Sequence, residues 1–496
     1  MSSSTAIIGV TFFAYIVAIC WLGWVAYRRT HTATDYFLGG RTLPPWVAAL
    51  SAGASDTSGW LLIGLPGFAY AAGLEAMWLA LGLVIGIGAS WVSMAKRLRI
   101  YSERCADALT LPVYLHRRFH CQNGILRSVA AMFILLFFLF YVSSGLIAGA
   151  KLFNTVFDIP YHMALLMGLF AIISYTLFGG FLAVSWTDVL QGLLITLALI
   201  AVPVMIAGTL PNDAATLISQ RNPGALSVWT NGEGGALGWI AIVSSLGWGF
   251  GYFGQPHILA RYKAIRAARD VPVAAVIALG WSILVYSGAV AVGVIGIAFI
   301  ASPLADSEQV FMVSVQTLFN PWVAGVLLAA ILAAIMSTAD SQLLVCSSAF
   351  TEDVYRGFAP GISPEKAVVI GRFAVAAFSL LAAGIATDPN AKVLDVVAYA
   401  WAGLGAALGP AVLFSLYWQR MNGAGALAGV VVGGFTVVGW RQLQGGWFDI
   451  YELIPGFLFS SVAIVLTSLV TKAPVADIAR EFSAMKNALK QEPGVA

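Results

Sequence analysis

Met132 to Phe140 reads MFILLFFLF, and Leu193 to Ile206 reads LLITLALIAVPVMI. Runs like these constrain the fold more than any other feature of the chain. Water disfavours such surface, and lipid offers the backbone no hydrogen bonds. A segment in lipid must therefore satisfy its own N–H and C=O groups, either as a helix or as a strand of a closed barrel. Barrel strands alternate apolar and polar residues, and these runs do not. The sequence thus predicts an all-α polytopic protein of the inner, cytoplasmic membrane. Composition agrees: 60% of the 496 residues are hydrophobic and 10% are charged, against about 25% charged in a soluble domain.

A spanning helix needs about 20 apolar residues. On that measure about thirteen spans are predicted. They lie near 6–27, 47–72, 77–94, 129–152, 162–179, 187–210, 237–255, 272–300, 321–349, 367–386, 393–418, 424–440 and 453–470. Cytoplasmic loops carry an excess of Lys and Arg. With the N-terminus outside, only Lys151, Arg221, Lys392 and Arg441 of the 26 basic residues fall on the outer side. The C-terminus is then cytoplasmic. Residues 1–5 lack the basic start of a cleavable signal, and Arg28 and Arg29 follow the first span instead.

The net charge of +3 follows from this cytoplasmic bias and gives no reason to expect a nucleic-acid partner. Cys20 and Cys346 fall in spans, and Cys105 and Cys121 in one cytoplasmic loop, so neither a disulfide nor a zinc site is expected. There is no Walker sequence, dinucleotide fingerprint or His-rich metal motif. No enzyme chemistry and no cofactor are predicted.

The second span reads ALSAGASDTSGWL from Ala49 to Leu61. Gly weakens a helix, and Ser and Asp compete for its backbone hydrogen bonds. A break is predicted here. Unwound backbone at membrane depth survives only where it lines a cavity or is buried in protein, and such breaks build the midplane sites of secondary transporters. A small-residue packing face is the plainer alternative, but packing does not need Asp56. The seventh span is also irregular: Gly247, Gly249, Gly251 and Gly254 are interleaved with Trp248, Phe250, Tyr252 and Phe253, before Gln255, Pro256 and His257. Spans 2 and 7 are five helices apart, which points to two five-helix units each opening on a broken helix.

The ninth span contains AAIMSTADSQLL, with Ser337, Thr338, Asp340 and Ser341. Hydroxyls and carbonyls are hard donors suited to a small cation, although single membrane hydroxyls usually bond to their own helix. Asp188, in AVSWTD at the start of span 6, reads either as a helix N-cap or as a cation partner. In the C-terminal tail Val475, Ile478, Phe482, Met485 and Leu489 recur at helical spacing, with Arg480, Lys486 and Lys490 beside them. This predicts a surface helix on the anionic leaflet or on the protein's own inner face, with a plain solvated tail as the alternative.

These residues make the chain resemble the sodium:solute symporter family along nearly its whole length. The strings that carry the resemblance are DYFLGGR (Asp35 to Arg41), LSAGASDTSGWLLIGLPG (Leu50 to Gly67), ALTLPVY (Ala108 to Tyr114), GGFLAVSWTD (Gly179 to Asp188), GWGFGYFGQPHILAR (Gly247 to Arg261), ILAAIMSTADSQLLVCSSA (Ile331 to Ala349) and AWAGLGAALGP (Ala400 to Pro410). Asp56-Thr57-Ser58-Gly59-Trp60 together with Trp248 and Tyr252 is more specific to the proline branch of the family.

The resemblance implies a LeuT-type core with inverted repeats at 46–210 (spans 2–6) and 211–420 (spans 7–11). Residues 1–45 would form the first span and a loop, 421–470 spans 12 and 13, and 471–496 a cytoplasmic tail. It implies a sodium ion held by backbone oxygens of Ala54, Thr57 and Ala334 and hydroxyls of Ser337 and Thr338. Position 57 often holds Met in relatives, which a backbone ligand tolerates. Ser58, Gly59, Tyr141, Trp248, Tyr252 and Pro256 match positions linked to solute recognition. Asp56, Arg41 and Asp188 match positions linked to coupling, and some relatives hold a second sodium near the equivalents of Asp188 and Ser341. The implied activity is sodium-coupled import of L-proline, with Na+, L-proline and membrane lipid as partners. Rivals are the same machine with another amino acid or pantothenate, and, in another class, a channel or a sensor. A sensor would need an appended soluble domain, for which the tail after Thr471 is short.

Overall fold

The computed structural model describes residues 3–27, 38–176, 180–356, 361 and 363–491, and almost all of them are helical. Asp35 to Phe37 and Gly179, at the edges of two family strings, and the basic pair Arg28 and Arg29 lie outside the described residues. Among the described residues, ten stretches are long and apolar enough to cross a membrane. One of them, Trp60–Arg104, joins the second half of predicted span 2 to span 3, and predicted spans 5 and 7 contain the shorter apolar helices Tyr161–Ile173 and Trp239–Phe253. Helices stand at each of the thirteen places read from the sequence.

The bundle has a buried centre and a lipid-like rim. Pro321–Tyr355 and Val393–Tyr417 are each 83% buried over their most apolar windows, whereas Ser3–Gly23 is 22% buried. Helix Pro321–Ser348 packs on Ser3–Tyr27, Ile125–Phe157 and Phe181–Thr209. Phe13, Val92, Phe170, Val276 and Phe373 are exposed on the rim. Such a surface is a liability in water, but lipid is as apolar as these side chains. Close approach at the centre depends on glycine: a Cβ at Gly86 would lie 2.3 Å from the carbonyl oxygen of Gly249, so only a residue without one lets these two backbones touch.

Both predicted interruptions are present. Helix Pro45–Asp56 ends where Thr57 leaves helical geometry (φ −84°, ψ 75°), and the chain resumes as a π-helical turn Trp60–Gly64 followed by Leu65–Ala72. In span 7, helix Trp239–Gly247 tightens into a 3-10 turn Trp248–Phe253. After Gly254 and the extended Gln255, a helix restarts at Pro256 and runs to Ala264. Proline has no N–H to leave unsatisfied in a first turn, which makes it a natural restart. The span is therefore longer than the sequence suggested, and its break lies inside it rather than at its end.

Two further readings are refined. Asp188 is not an N-cap: its helix begins at Phe181, so Asp188 sits about two turns inside. The tail forms helix Ala476–Gln491, with Ile478, Phe482 and Met485 buried against helix Lys96–Arg104. It lies on the protein's own basic end rather than free in solvent. The four cysteines are all free, and burial raises the pKa of the Cys105 thiol to about 12.

Candidate functional site at the paired helix breaks

Breaking a helix in the membrane leaves carbonyls and amides that must find new partners. At the span 2 break the Asp56 carbonyl accepts from the Tyr141 hydroxyl and from the Trp60 indole N–H, each at 3.1 Å. The Asp56 carboxylate is fully buried. Its Oδ2 accepts from the hydroxyls of Tyr252 (2.6 Å) and Tyr286 (3.3 Å), which lie 2.7 Å from each other. Oδ1 has no hydrogen-bond partner among the described residues. Tyr252 comes from the 3-10 turn of span 7, so one carboxylate links the two interruptions.

Two residues before Asp56, the carbonyl oxygen of Ala54 accepts from the Ser337 hydroxyl at 2.8 Å, and that hydroxyl lies 3.1 Å from the carbonyl oxygen of Ala334. The Ser337 hydroxyl is thus within hydrogen-bonding reach of two of the other four predicted ion ligands. The hydroxyls of Thr338 and Thr57 are buried without a hydrogen-bond partner among the described residues. An ordinary membrane threonine bonds back to its own helix, and the Thr338 hydroxyl does not.

The predicted solute residues divide. Tyr141 and Tyr252 converge on the Trp401 ring, with centroids 6.4 and 5.0 Å away. Ser58 and Gly59 line the break, and a Cβ at Gly59 would sit 2.3 Å from that of Ala148. Trp248 and Pro256 line two other clefts, although the Trp248 carbonyl accepts from the Trp401 indole. Trp248 lines a cleft with Phe68, Ser244, Tyr451 and Glu452, while Pro256 lines another with Phe181, Arg261, Lys263 and Ser341. They flank the 3-10 turn at opposite ends.

The coupling residues occupy two further places. Asp188 Oδ2 accepts from Ser51 (2.6 Å) and from the Arg261 guanidinium (3.0 Å), all buried. Arg261 also donates to Ser341 (2.6 Å), to Ser51 and to the His257 carbonyl, with its guanidinium 4.9 Å from the Phe181 ring centre. Arg41 is remote from both carboxylates: it donates to Asp107 (2.6 Å), Ser102 (3.2 Å) and the Lys263 carbonyl (2.8 Å). Burial lowers the pKa of its guanidinium, and Asp107 opposes that shift. Asp340 is paired with Thr176 through Oδ1.

Sequence reasoning missed Tyr286, Trp401 and the role of Arg261 in bridging Asp188 to Ser341. Tyr286 is one of three hydroxyls, with Ser282 and Ser287, in the otherwise apolar run WSILVYSGAV, a signal of the kind intramembrane polar groups give. Trp401 lies within the family string AWAGLGAALGP. Arg261 lies beyond the end of span 7 predicted at 255, on the helix Pro256–Ala264 that continues the span.

A helical bundle with two interrupted helices crossing at a buried polar centre defines a membrane transporter of the secondary type. The family model of the sodium:solute symporter family matches residues 36–433. The sodium/proline symporters of Salmonella typhimurium and Escherichia coli are each 47% identical over 493 residues, covering 97% of both chains. The Bacillus subtilis high-affinity proline transporter PutP is 43% identical over 480 residues, 95% of this chain and 99% of that one. A sodium-coupled sialic acid symporter in a substrate-bound outward-open state superposes with a TM-score of 0.79 at 19% identity, over 95% of this chain and 98% of that chain, and shares the fold. The chain belongs to the sodium:solute symporter family and has its LeuT-type architecture. It is a multi-pass membrane transporter, not an enzyme.

Proposed function

We propose that this chain imports L-proline with sodium across the cytoplasmic membrane, with the N-terminus outside and the C-terminus in the cytoplasm. The observation that carries the ion half of this reading is the Ser337 hydroxyl held against the carbonyls of Ala54 and Ala334 beside a helix break. The solute half is supported by relatives 43–47% identical over nearly the whole chain that bear proline-transporter names. The orientation is supported by the excess of Lys and Arg that alternating connections place on one side, with only Lys151, Arg221, Lys392 and Arg441 on the other. The proposed repeats are 46–210 and 211–420.

Sodium is assigned to the backbone oxygens of Ala54, Thr57 and Ala334 and the hydroxyls of Ser337 and Thr338. Together these five oxygens replace part of the ion's water. The unpartnered Thr338 hydroxyl suits that role, since a buried hydroxyl without a partner is costly unless a ligand uses it. Asp56 supplies negative charge at the break and ties it to span 7 through Tyr252. Ser58 and Gly59 offer backbone at the break to the solute carboxylate, while the Tyr141 and Tyr252 rings, walled by Trp401, face its ring and ammonium. Trp248 and Pro256 act at the two mouths of this site rather than within it.

Sodium binding orders the span 2 break and so raises proline affinity. The coupling is reciprocal, and the inward sodium gradient drives accumulation by alternating access. Asp188, Ser51, Arg261 and Ser341 form a separate buried ion-pair network below the site. Arg41 braces the basic end. The test is uptake of labelled proline by vesicles with and without a sodium gradient, with other amino acids and pantothenate as competitors. Sodium-dependent, saturable uptake competed by proline alone supports the reading. Competition by another solute at lower concentration reassigns the substrate.

A further inference from the structure

The loop between helices Gly423–Trp440 and Leu453–Val470 reaches back over the mouth of the solute site. Its last residues are Tyr451 and Glu452. The Tyr451 ring stacks on Trp248, with centroids 5.3 Å apart and planes 20° from parallel. Its hydroxyl donates to the Ala398 carbonyl at 2.6 Å, and its backbone N–H donates to the Ser244 hydroxyl at 3.0 Å. Ala398 belongs to helix Val393–Tyr417, which carries Trp401. Ser244 belongs to the half-helix that leads into the 3-10 turn. The Trp401 indole N–H in turn donates to the Trp248 carbonyl at 2.8 Å. One side chain from a peripheral loop is therefore fastened to both elements that wall the site.

We propose that Tyr451 is the lid of the outer path to the solute site, closing by stacking on Trp248 and latching to Ala398. Three observations support it. Trp248 is 7% exposed although it borders an open cleft, and the Tyr451 ring is stacked on it. The base of the lid is seated without slack: a Cβ at Gly247 would lie 2.6 Å from Ile454, the third residue after Tyr451. The loop's outer edge is held by Arg441 paired with Glu452 at 3.2 Å and by the Trp440 indole donating to the Ile450 carbonyl at 3.0 Å. A stacked aromatic pair and two neutral hydrogen bonds are individually modest contacts. Such contacts suit a part that must open and reclose in each cycle. Loss of the ring opens the path and lets bound solute escape outward before the inner side opens.

This inference rests on the proposed solute site and on this end being the outer one, so its test has an arm that needs no solute. In right-side-out vesicles, with the native cysteines replaced by serine, Ala398→Cys is labelled with a membrane-impermeant maleimide. The expected result is slow labelling with Tyr451 present and at least tenfold faster labelling with Tyr451→Ala. Tyr451→Phe keeps the stack and should stay within a few-fold of the parent. If Tyr451→Ala does not reach the membrane, Tyr451→Leu, which keeps bulk but cannot stack, serves in its place. In the second arm, bound labelled proline should leave Tyr451→Ala outward at least fivefold faster than it leaves the parent, with net uptake reduced. Equal labelling rates with and without the ring overturn the lid. So does lost uptake with an unchanged release rate, which marks Tyr451 as a packing residue. A parent protein that binds no proline overturns the solute assignment instead, and the labelling arm still decides the lid.

Discussion

Tyr252 donates its hydroxyl to Oδ2 of Asp56 across 2.6 Å, joining the two interrupted helices at the depth where each has lost its backbone ladder. A carboxylate in that place is expensive and persists because it is bonded and used. Asp56→Asn keeps the size and removes the charge. The expected outcome is a half-saturating sodium concentration raised at least tenfold, about 1.4 kcal/mol of lost ion binding. Tyr252→Phe leaves Tyr286 to serve Asp56 and should cost less. Sodium titrations of proline binding to the purified variants measure both, and parental sodium affinity in Asp56→Asn would remove Asp56 from the ion-linked centre.

Ser337→Ala and Thr338→Ala should each raise the sodium requirement, by about tenfold for the loss of one coordinating hydroxyl. Proline affinity should fall only where sodium is limiting and recover as sodium is raised, because linkage passes the same factor both ways. Half-saturation for both ligands, measured across a sodium series, separates this from packing damage. A proline defect that high sodium does not relieve would count against ion coordination.

Gly59→Ala puts a Cβ 2.3 Å from that of Ala148. Overpacking of this kind costs about 1–3 kcal/mol, here paid at the break itself. Uptake should fall sharply, and Ala148→Gly should restore much of it in the double variant. If Ala148→Gly does not help, the defect lies in the backbone conformation at Gly59 and not in the contact.

The tail helix covers Tyr101 and Arg118 with Phe482, whose ring is 6.3 Å from that of Tyr101, while the Arg118 guanidinium lies 5.4 Å from it. His120 pairs with Glu481 at 3.1 Å. Phe482→Ala should release this helix, since truncating a fully buried Phe costs about 3–5 kcal/mol. Limited proteolysis should then cut within residues 472–491 in inverted vesicles, and the melting temperature in detergent should drop. Unchanged protection would mean that the helix is held by its polar contacts alone.

Much of this architecture is legible in the chain, for physical reasons. Lipid imposes length and apolarity on a helix, so the helices could be placed from composition. A run such as Ala54-Ser55-Asp56-Thr57-Ser58-Gly59 is so poor a helix former that the break at Thr57 could be placed to within a few residues. The restart of span 7 was less visible, because His257, Arg261 and Lys263 read as loop residues although all three are buried. Ending span 7 at 255 hid the Arg261–Asp188 pair, and starting span 6 at 187 rather than at Phe181 made Asp188 resemble a cap. Tyr286 and Trp401 were missed because aromatic residues in apolar helices pack far more often than they bind. The separation of Trp248 and Pro256 into two clefts depends on how tightly the 3-10 turn winds, which glycine content does not reveal.

The account rests on sodium and proline being coupled through the broken helices. The most direct measurement is labelled-proline uptake by proteoliposomes of the purified chain, with an imposed inward sodium gradient, with sodium equal on both sides, and with potassium replacing sodium. Saturable accumulation above equilibrium with the gradient, equilibration without it and little uptake in potassium is the predicted result. Accumulation or linear flux that ignores sodium would contradict it.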